Sequence, residues 1–184
     1  IPNYNNVMDA TLCTTVSNQY DVKVSTIEHL MGAFYGLGVD NAIVELDSQE
    51  LPIIDGSAKK FVELILQAGF RNYDDPIKLI KIENKVEFKE GNKSISIDKS
   101  NVTSEIDFEI KYENPTIQTQ RNKVSLFEDD LNDIFNSRTF CLYEDLKKLE
   151  ELGLGKGGSL DNAVVVKDNS ILNKEGLRNN LEFV

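Results

Sequence analysis

A glutamate and a histidine are adjacent at positions 28 and 29, inside the segment Val24-Ser25-Thr26-Ile27-Glu28-His29-Leu30-Met31. His29 is the only histidine in the 184 residues. A neutral imidazole is the commonest side-chain ligand of metals, and a neighbouring carboxylate can act as the general base toward a metal-bound water. A catalytic zinc takes three protein ligands, so His29 could supply only one of them. The alternative is structural: a partly buried histidine beside a glutamate that caps its helix.

Nucleophilic catalysis has few other candidates in this chain. A Ser-His-Asp or Cys-His arrangement could use only His29. Cys13 and Cys141 are far apart and lack metal-type spacing. The opening residues show neither the charged region nor the apolar region of a signal peptide. We therefore expect two reduced thiols in the cytoplasm that serve in packing, and a disulfide between them is the minority interpretation.

The segment Gly153-Leu154-Gly155-Lys156-Gly157-Gly158 formally matches the G-x-G-x-x-G pattern of dinucleotide-binding loops. Such a loop must follow a strand and open a helix, so that the phosphates meet the helix N-terminus. Here it follows a predicted helix and precedes a predicted strand. The order is reversed, and the segment is better interpreted as a flexible turn.

The composition excludes some classes of protein. The formal net charge of −11 and a pI near 4.6 argue against a nucleic-acid binder, which needs basic patches to neutralise phosphates. No run of eighteen apolar residues is present, so the sequence predicts no membrane span. With 40% hydrophobic and 28% charged residues, the chain has the composition of a globular protein of one or two domains.

The first half of the chain predicts two helices. Residues 26–37 have helical spacing of apolar side chains, and Ser25 with Glu28 fits a capping box. The expected buried face is formed by Ile27, Leu30, Met31, Phe34 and Leu37. Gly38 ends this helix. A strand at Val39–Leu46, an extended piece at Leu51–Ser57 and a second helix at 58–68 complete this half.

The second half predicts mainly strands. The polar segment Arg71–Pro76 is the best linker candidate, and it places a boundary between two α+β domains near Asp75. The pattern then predicts strands at 77–88 and 94–97 around a turn at 90–93, and a half-buried strand at Ile106–Tyr112. It also predicts helices at 128–135 and 142–152, and a buried strand at 163–166.

Seven motifs, taken in their order, identify a resemblance that covers nearly the whole chain. Together they resemble the zinc-dependent UDP-3-O-acyl-N-acetylglucosamine deacetylases of bacterial lipid A synthesis. The similarity is weaker between Asp74 and Asn136. The motifs are Thr11-Leu12-Cys13-Thr14-Thr15, the Val24–Met31 segment, Gly36-Leu37-Gly38-Val39-Asp40-Asn41, Pro52-Ile53-Ile54-Asp55-Gly56-Ser57, Ser137-Arg138-Thr139-Phe140, Gly157-Gly158-Ser159-Leu160-Asp161-Asn162-Ala163 and Leu172-Asn173-Lys174-Glu175-Gly176-Leu177-Arg178.

The resemblance implies a fold of two similarly built α+β domains, each a sheet packed against helices, that face each other across the active site. Residues 1–74 would belong to the first domain and 75–184 to the second. Residues 141–166 would form a β-α-β insert in the second domain, whose apolar passage holds the acyl chain of the substrate. Leu142, Leu146 and Leu149 form an apolar helix face that suits that use. The alternative is that these leucines only pack the core.

The resemblance also implies roles for individual residues. Glu28 matches the general base, His29 a zinc ligand, and Thr139 the residue that contacts the oxyanion of the tetrahedral intermediate. The substrate-binding positions it implies are Leu12, Cys13, Phe140, Leu142 and Leu146. The family's other two zinc ligands, a histidine and an aspartate, follow its Glu-Phe-Val motif, which matches Glu182-Phe183-Val184.

The implied activity is zinc-dependent hydrolysis of the acetamide of UDP-3-O-(3-hydroxyacyl)-N-acetylglucosamine, with release of acetate. Its partner would be this acylated UDP-sugar, and its place the cytoplasm. The sequence matches the middle of the family's enzyme and opens on isoleucine, so we expect an internal portion that is inactive alone. The alternative is a non-catalytic protein of the same fold that binds the nucleotide sugar and its lipid.

Overall fold

The computed structural model describes residues 3–100 and 104–184. These residues form an α+β fold of several small sheets and a few short helices, which confirms the α+β class of the prediction. The strands are β1 (Val7–Asp9), β2 (Thr15–Ser17), β3 (Lys23–Val24), β4 (Val86–Glu90), β5 (Lys93–Ile97), β6 (Glu105–Lys111), β7 (Thr119–Ser125), β8 (Phe140–Leu142), β9 (Val164–Lys167) and β10 (Ser170–Ile171). The α-helices are α1 (Glu28–Gly36), α2 (Lys59–Ala68), α3 (Asn132–Asn136) and α4 (Leu146–Glu151), and short 3-10 helices lie at Tyr4–Asn6 and Tyr143–Asp145.

The first sheet positions the start of α1. It is antiparallel with the order β1-β2-β3, and β3 leads into α1 through Ser25 and Thr26. The strand predicted at Val39–Leu46 is wrong, since the structure assigns none there. The side chains of 41–50 are exposed, and among the described residues none pairs with 39–46. An extended segment becomes a strand only when a neighbour accepts its ladder hydrogen bonds.

Two antiparallel hairpins lie in the middle of the chain. The turn predicted at 90–93 is confirmed between β4 and β5, although β4 begins only at Val86 and not at residue 77. The strand predicted at Ile106–Tyr112 is confirmed as β6, but its partner β7 was not predicted. Ile106 and Phe108 remain about half exposed, so the expected burial is wrong for these two residues, whereas Ile110 of the same face packs against the core.

The region from Phe140 to Lys167 forms a β-α-β unit. Strand β8 pairs in parallel with β9, and the Tyr143–Asp145 turn with α4 forms the crossover. Parallel neighbours require such a crossover. The helix predicted at 142–152 is therefore shorter, because Leu142 belongs to β8. The helix predicted at 128–135 is also shorter, since only α3 forms there.

The core lies around β9. Val164 and Val166 are fully buried and pack with Ile117 and Phe183, which confirms the buried strand predicted at 163–166. Side chains from β6, β8 and the C-terminal segment pack against this cluster, namely Ile110, Phe140, Leu142, Ile171 and Leu177. No helix in the described ranges is long and apolar enough to cross a membrane.

Candidate functional site

Glu28 stands at the first position of α1. The predicted capping box is wrong, because Ser25 Oγ lies 2.9 Å from Thr15 Oγ1 and no side chain caps the helix. The carboxylate of Glu28 instead accepts a hydrogen bond from the backbone N–H of Thr14 at 3.0 Å. An acidic side chain in the first turn is also favoured by the helix dipole. The candidate base is thus held by Thr14, the residue directly before β2.

His29 is half-buried, one residue further along the helix. Burial lowers the pKa of His29 below its ordinary 6.5, although the negative charges of Glu28 and Asp55 oppose the shift. The imidazole is therefore neutral at pH 7, which is the form that binds a metal.

The buried stripe of α1 is the one that continues from His29. Ala33 is fully buried, whereas Met31, predicted on the buried face, is 51% exposed. A Cβ on Gly36 would come within 2.6 Å of the Phe135 ring of α3. The small residues thus let α3 approach the helix, and the predicted apolar face is wrong for Met31.

Asp55 lies in the turn before α2, close enough for its charge to act on His29. Its carboxylate accepts hydrogen bonds from Ser57 Oγ at 2.9 Å and from Arg178 at 2.9 Å. Burial alone would raise the pKa of Asp55, but these hydrogen bonds hold it below 3.8. Asp55 is therefore ionised at neutral pH and is held by Arg178.

Thr139 lies directly before β8 and joins two parts of the chain. Its backbone N–H donates to the carbonyl of Gly56 at 2.8 Å, and its carbonyl accepts from Val164 at 2.9 Å. The residue is exposed. Since its backbone N–H is already used, the donor that Thr139 can offer a ligand is its side-chain hydroxyl.

An apolar cavity of about 320 Å³ opens beside β8 and α4. Phe140 lies in its wall and is held by edge-to-face contacts with Tyr112 at 5.6 Å and Phe183 at 5.0 Å. Rings at such distances prefer this geometry. The lining residues are Leu12, Tyr112, Phe140, Cys141, Leu142, Asp145, Lys148, Leu149 and Leu152.

The cavity brings together three of the five predicted substrate-binding residues. Leu12, Phe140 and Leu142 line it, while Leu146 is 38% exposed and lies outside the lining. Cys13 is also outside the lining, with its Sγ 3.9 Å from Thr15 Oγ1. Cys13 and Cys141 are both free thiols, as predicted.

A buried ion pair next to Thr139 was missed from the sequence. The guanidinium of Arg138 and the carboxylate of Glu182 are both fully buried and are joined at 2.7 Å. Arg138 also donates to Glu175 and to the carbonyl of Gly176. Both charged residues lie inside motifs, but a motif match alone does not show that two charges meet.

The described ranges contain no cluster of three or more His, Cys, Asp or Glu residues able to hold a metal ion. His29, neutral and half-buried, has the chemistry of one ligand. With one such ligand and one adjacent carboxylate, the described residues fit the zinc that the resemblance implies only in part.

Comparison with known proteins identifies the family. A family model described as "LpxC: UDP-3-O-acyl N-acetylglycosamine deacetylase" matches residues 2–184. The UDP-3-O-acyl-N-acetylglucosamine deacetylase of Pasteurella multocida is 42% identical over 99% of this chain and 60% of its own length. Those of Vibrio campbellii and Haemophilus ducreyi are 41% and 38% identical over 97% and 98% of the chain. The chain spans about three fifths of the length of these curated relatives. It belongs to the UDP-3-O-acyl N-acetylglycosamine deacetylase family.

Proposed function

We propose that this chain is part of a zinc-dependent hydrolase that removes the acetyl group from UDP-3-O-(3-hydroxyacyl)-N-acetylglucosamine in lipid A biosynthesis. The observation that carries the proposal is the paired Glu28 and His29 at the start of α1, in a chain of this family. The printed names of its relatives support the acylated UDP-sugar as substrate. The cytoplasm is the location we propose.

Glu28 is the proposed general base. A general base must be held within hydrogen-bond reach of the proton that it takes, and the contact with the Thr14 N–H fixes the carboxylate on one side. Its second oxygen remains available to a water. Thr139 is the proposed donor to the oxyanion, through the hydroxyl that its backbone contacts leave available.

His29 is the proposed zinc ligand from this chain. Zinc, when bound, polarises a carbonyl oxygen and makes water more acidic. The described residues provide His29 for that site, with Asp55 and Glu28 as nearby negative charges. These charges favour a cation beside the imidazole.

The apolar cavity is the proposed place of the acyl chain. Leu12, Phe140 and Leu142 line it, and apolar walls favour burial of methylene groups. We keep Cys13 and Leu146 as proposed substrate contacts at its edge. The β-α-β unit supports an insert at 141–166, and a cavity lined by both Leu12 and Phe140 supports domains at 1–74 and 75–184 that meet across the cleft.

The substitution Glu28→Gln in the full-length polypeptide tests the assignment. We expect turnover of the acylated UDP-sugar to fall at least about 100-fold, because a general base contributes about 10²–10⁴-fold. Zinc content, measured by elemental analysis, should stay at the wild-type level. Glu63→Gln on the exposed face of α2 is the matched control and should retain full activity.

Two outcomes would contradict the proposal. Loss of zinc together with activity in Glu28→Gln would make Glu28 structural. A wild-type protein that binds the acylated UDP-sugar without releasing acetate would instead support the non-catalytic binding protein.

A further inference from the structure

Thr26 has an unusual backbone conformation for its residue type. Its φ is +58°, in the left-handed region that β-branched residues rarely adopt. The residue is also 8% exposed, so solvent does not stabilise this conformation. Strain of this kind persists only where surrounding contacts determine it, and it is concentrated at functional sites.

The contacts that hold Thr26 come from the segment before Pro52. The hydroxyl of Thr26 donates to Glu50 Oε1 at 2.8 Å. On the preceding residue, Ser25 N donates to the Gln49 carbonyl at 2.9 Å, and the Ser25 carbonyl accepts from Leu51 at 3.2 Å. One side-chain bond and two backbone bonds thus fix the chain where β3 turns into α1.

The turn at Thr26 lies two residues before Glu28, where β3 gives way to α1. A conventional N-terminus would let Ser25 and Glu28 cap each other. With Thr26 in the left-handed region, Ser25 faces Thr15 and the helix starts without a side-chain cap. The Glu28 carboxylate accepts from the N–H of Thr14, the residue directly before β2.

We infer that Thr26, held by Glu50, is a positioning residue that orients the carboxylate of Glu28 for catalysis. The inference rests on the proposed function, in which Glu28 is the general base. Thr26 itself contacts no reacting group and acts through the direction of the first turn of α1. Glu50 is exposed on the surface and acts through the same hydrogen bond.

Steady-state kinetics of the full-length enzyme test this role. Thr26→Val keeps the shape but removes the hydroxyl, and Glu50→Ala removes the acceptor. We expect each to lower kcat at least about 10-fold with KM within about twofold, because small misplacements of a catalytic group cost rate. Thr26→Ser keeps the hydroxyl and should retain most of kcat. Thr26→Val/Glu50→Ala should be no slower than either single variant, since both remove one bond.

A second measurement does not depend on activity. Hydrogen exchange of the Thr14 amide reports its bond to Glu28, and the Val164 amide reports the core. In Thr26→Val we expect the Thr14 amide to lose protection while the Val164 amide keeps it. Thr119→Val, on the exposed end of β7, is the matched control and should change neither amide.

The inference is overturned if Thr26→Val keeps wild-type kcat or a protected Thr14 amide. It is also overturned if both amides lose protection together, because Thr26 would then be merely structural. If the wild-type enzyme releases no acetate, the proposed function fails, while the Thr14 amide still decides whether Thr26 positions Glu28.

Discussion

The buried ion pair of Arg138 and Glu182 should contribute far more to stability than an exposed pair of the same geometry. Both side chains are fully buried, and Glu182 accepts from Arg138 Nε at 2.7 Å, from the Arg138 backbone N–H at 3.1 Å and from the Arg178 backbone N–H at 2.5 Å. Arg138→Met leaves this carboxylate charged and buried without its partner. Removal of one member of a buried pair costs about 3–5 kcal/mol.

The chain contains a matched control for this experiment. Arg121 binds Asp107 through Nε at 2.7 Å and through a terminal nitrogen at 2.6 Å, but its side chain is 62% exposed. Exposed pairs are screened by water and contribute little. Arg121→Met should therefore leave the free energy of unfolding nearly unchanged. The two substitutions differ in burial, and Arg138→Met also removes the hydrogen bonds to Glu175 and to the Gly176 carbonyl.

Urea unfolding followed by circular dichroism measures both variants. We expect Arg138→Met to lose about 3 kcal/mol or more, and Arg138→Met/Glu182→Gln to lose less than the sum of its single changes, because the second change removes the stranded charge. Equal losses in Arg138→Met and Arg121→Met would refute the reasoning, since burial would then add nothing.

Three further predictions concern acid, a glycine and a thiol. Burial alone would raise the pKa of Glu182, but hydrogen bonds from Arg138 and Arg178 hold it below 4.5. The ionised Glu182 therefore stabilises the folded state at neutral pH, and this contribution is lost as pH falls through the lowered pKa. Glu182→Gln should accordingly flatten the acid limb of a curve of stability against pH. Gly56→Ala should abolish folding in a thermal melt, since at φ +80° its Cβ would lie 1.9 Å from the Asn162 carbonyl oxygen. Gly91→Ala, at φ +58° with open space around it, should lower the free energy of unfolding by only about 1 kcal/mol. Burial raises the pKa of the Cys141 thiol above 9.0. In the Cys13→Ser variant, mass spectrometry at pH 8 should therefore show Cys141 reacting with iodoacetamide more slowly than free cysteine does, and equal rates would contradict this.

Local patterns in the sequence predicted some of the elements whose partners are close in the chain, although β7, the hairpin partner of β6, was missed. The β4–β5 hairpin has its turn residues between its two strands. Strand β9 is a run of valines, and such a run predicts a buried strand without knowledge of its neighbours. Helix α2 has apolar spacing and a glycine at its end, and the structure places it at Lys59–Ala68. These features need no distant contact to be recognised.

Features that depend on distant contacts were missed. The capping box at Ser25 and Glu28 failed because Thr15 and Thr14 compete for the same side chains. The strand predicted at Val39–Leu46 has the right composition, but composition does not show whether a neighbouring strand is present. Arg138 and Glu182 are charged, and charged residues are predicted on the surface unless their pairing is known.

The contacts of the turn at Asp55 and Gly56 have a consequence for the order in which the molecule is built. Gly56 accepts from Thr139 and lies against Asn162, and Asp55 binds Arg178 across a separation of 123 residues. A chain made on the ribosome can form α1, with Glu28 and His29, from residues that are already synthesised. The turn has to wait for Arg178 to emerge, because contacts so distant in sequence form only after a long loop closes. We therefore expect the part of the candidate site that carries Glu28 and His29 to exist, during every round of synthesis, before the part that carries Thr139.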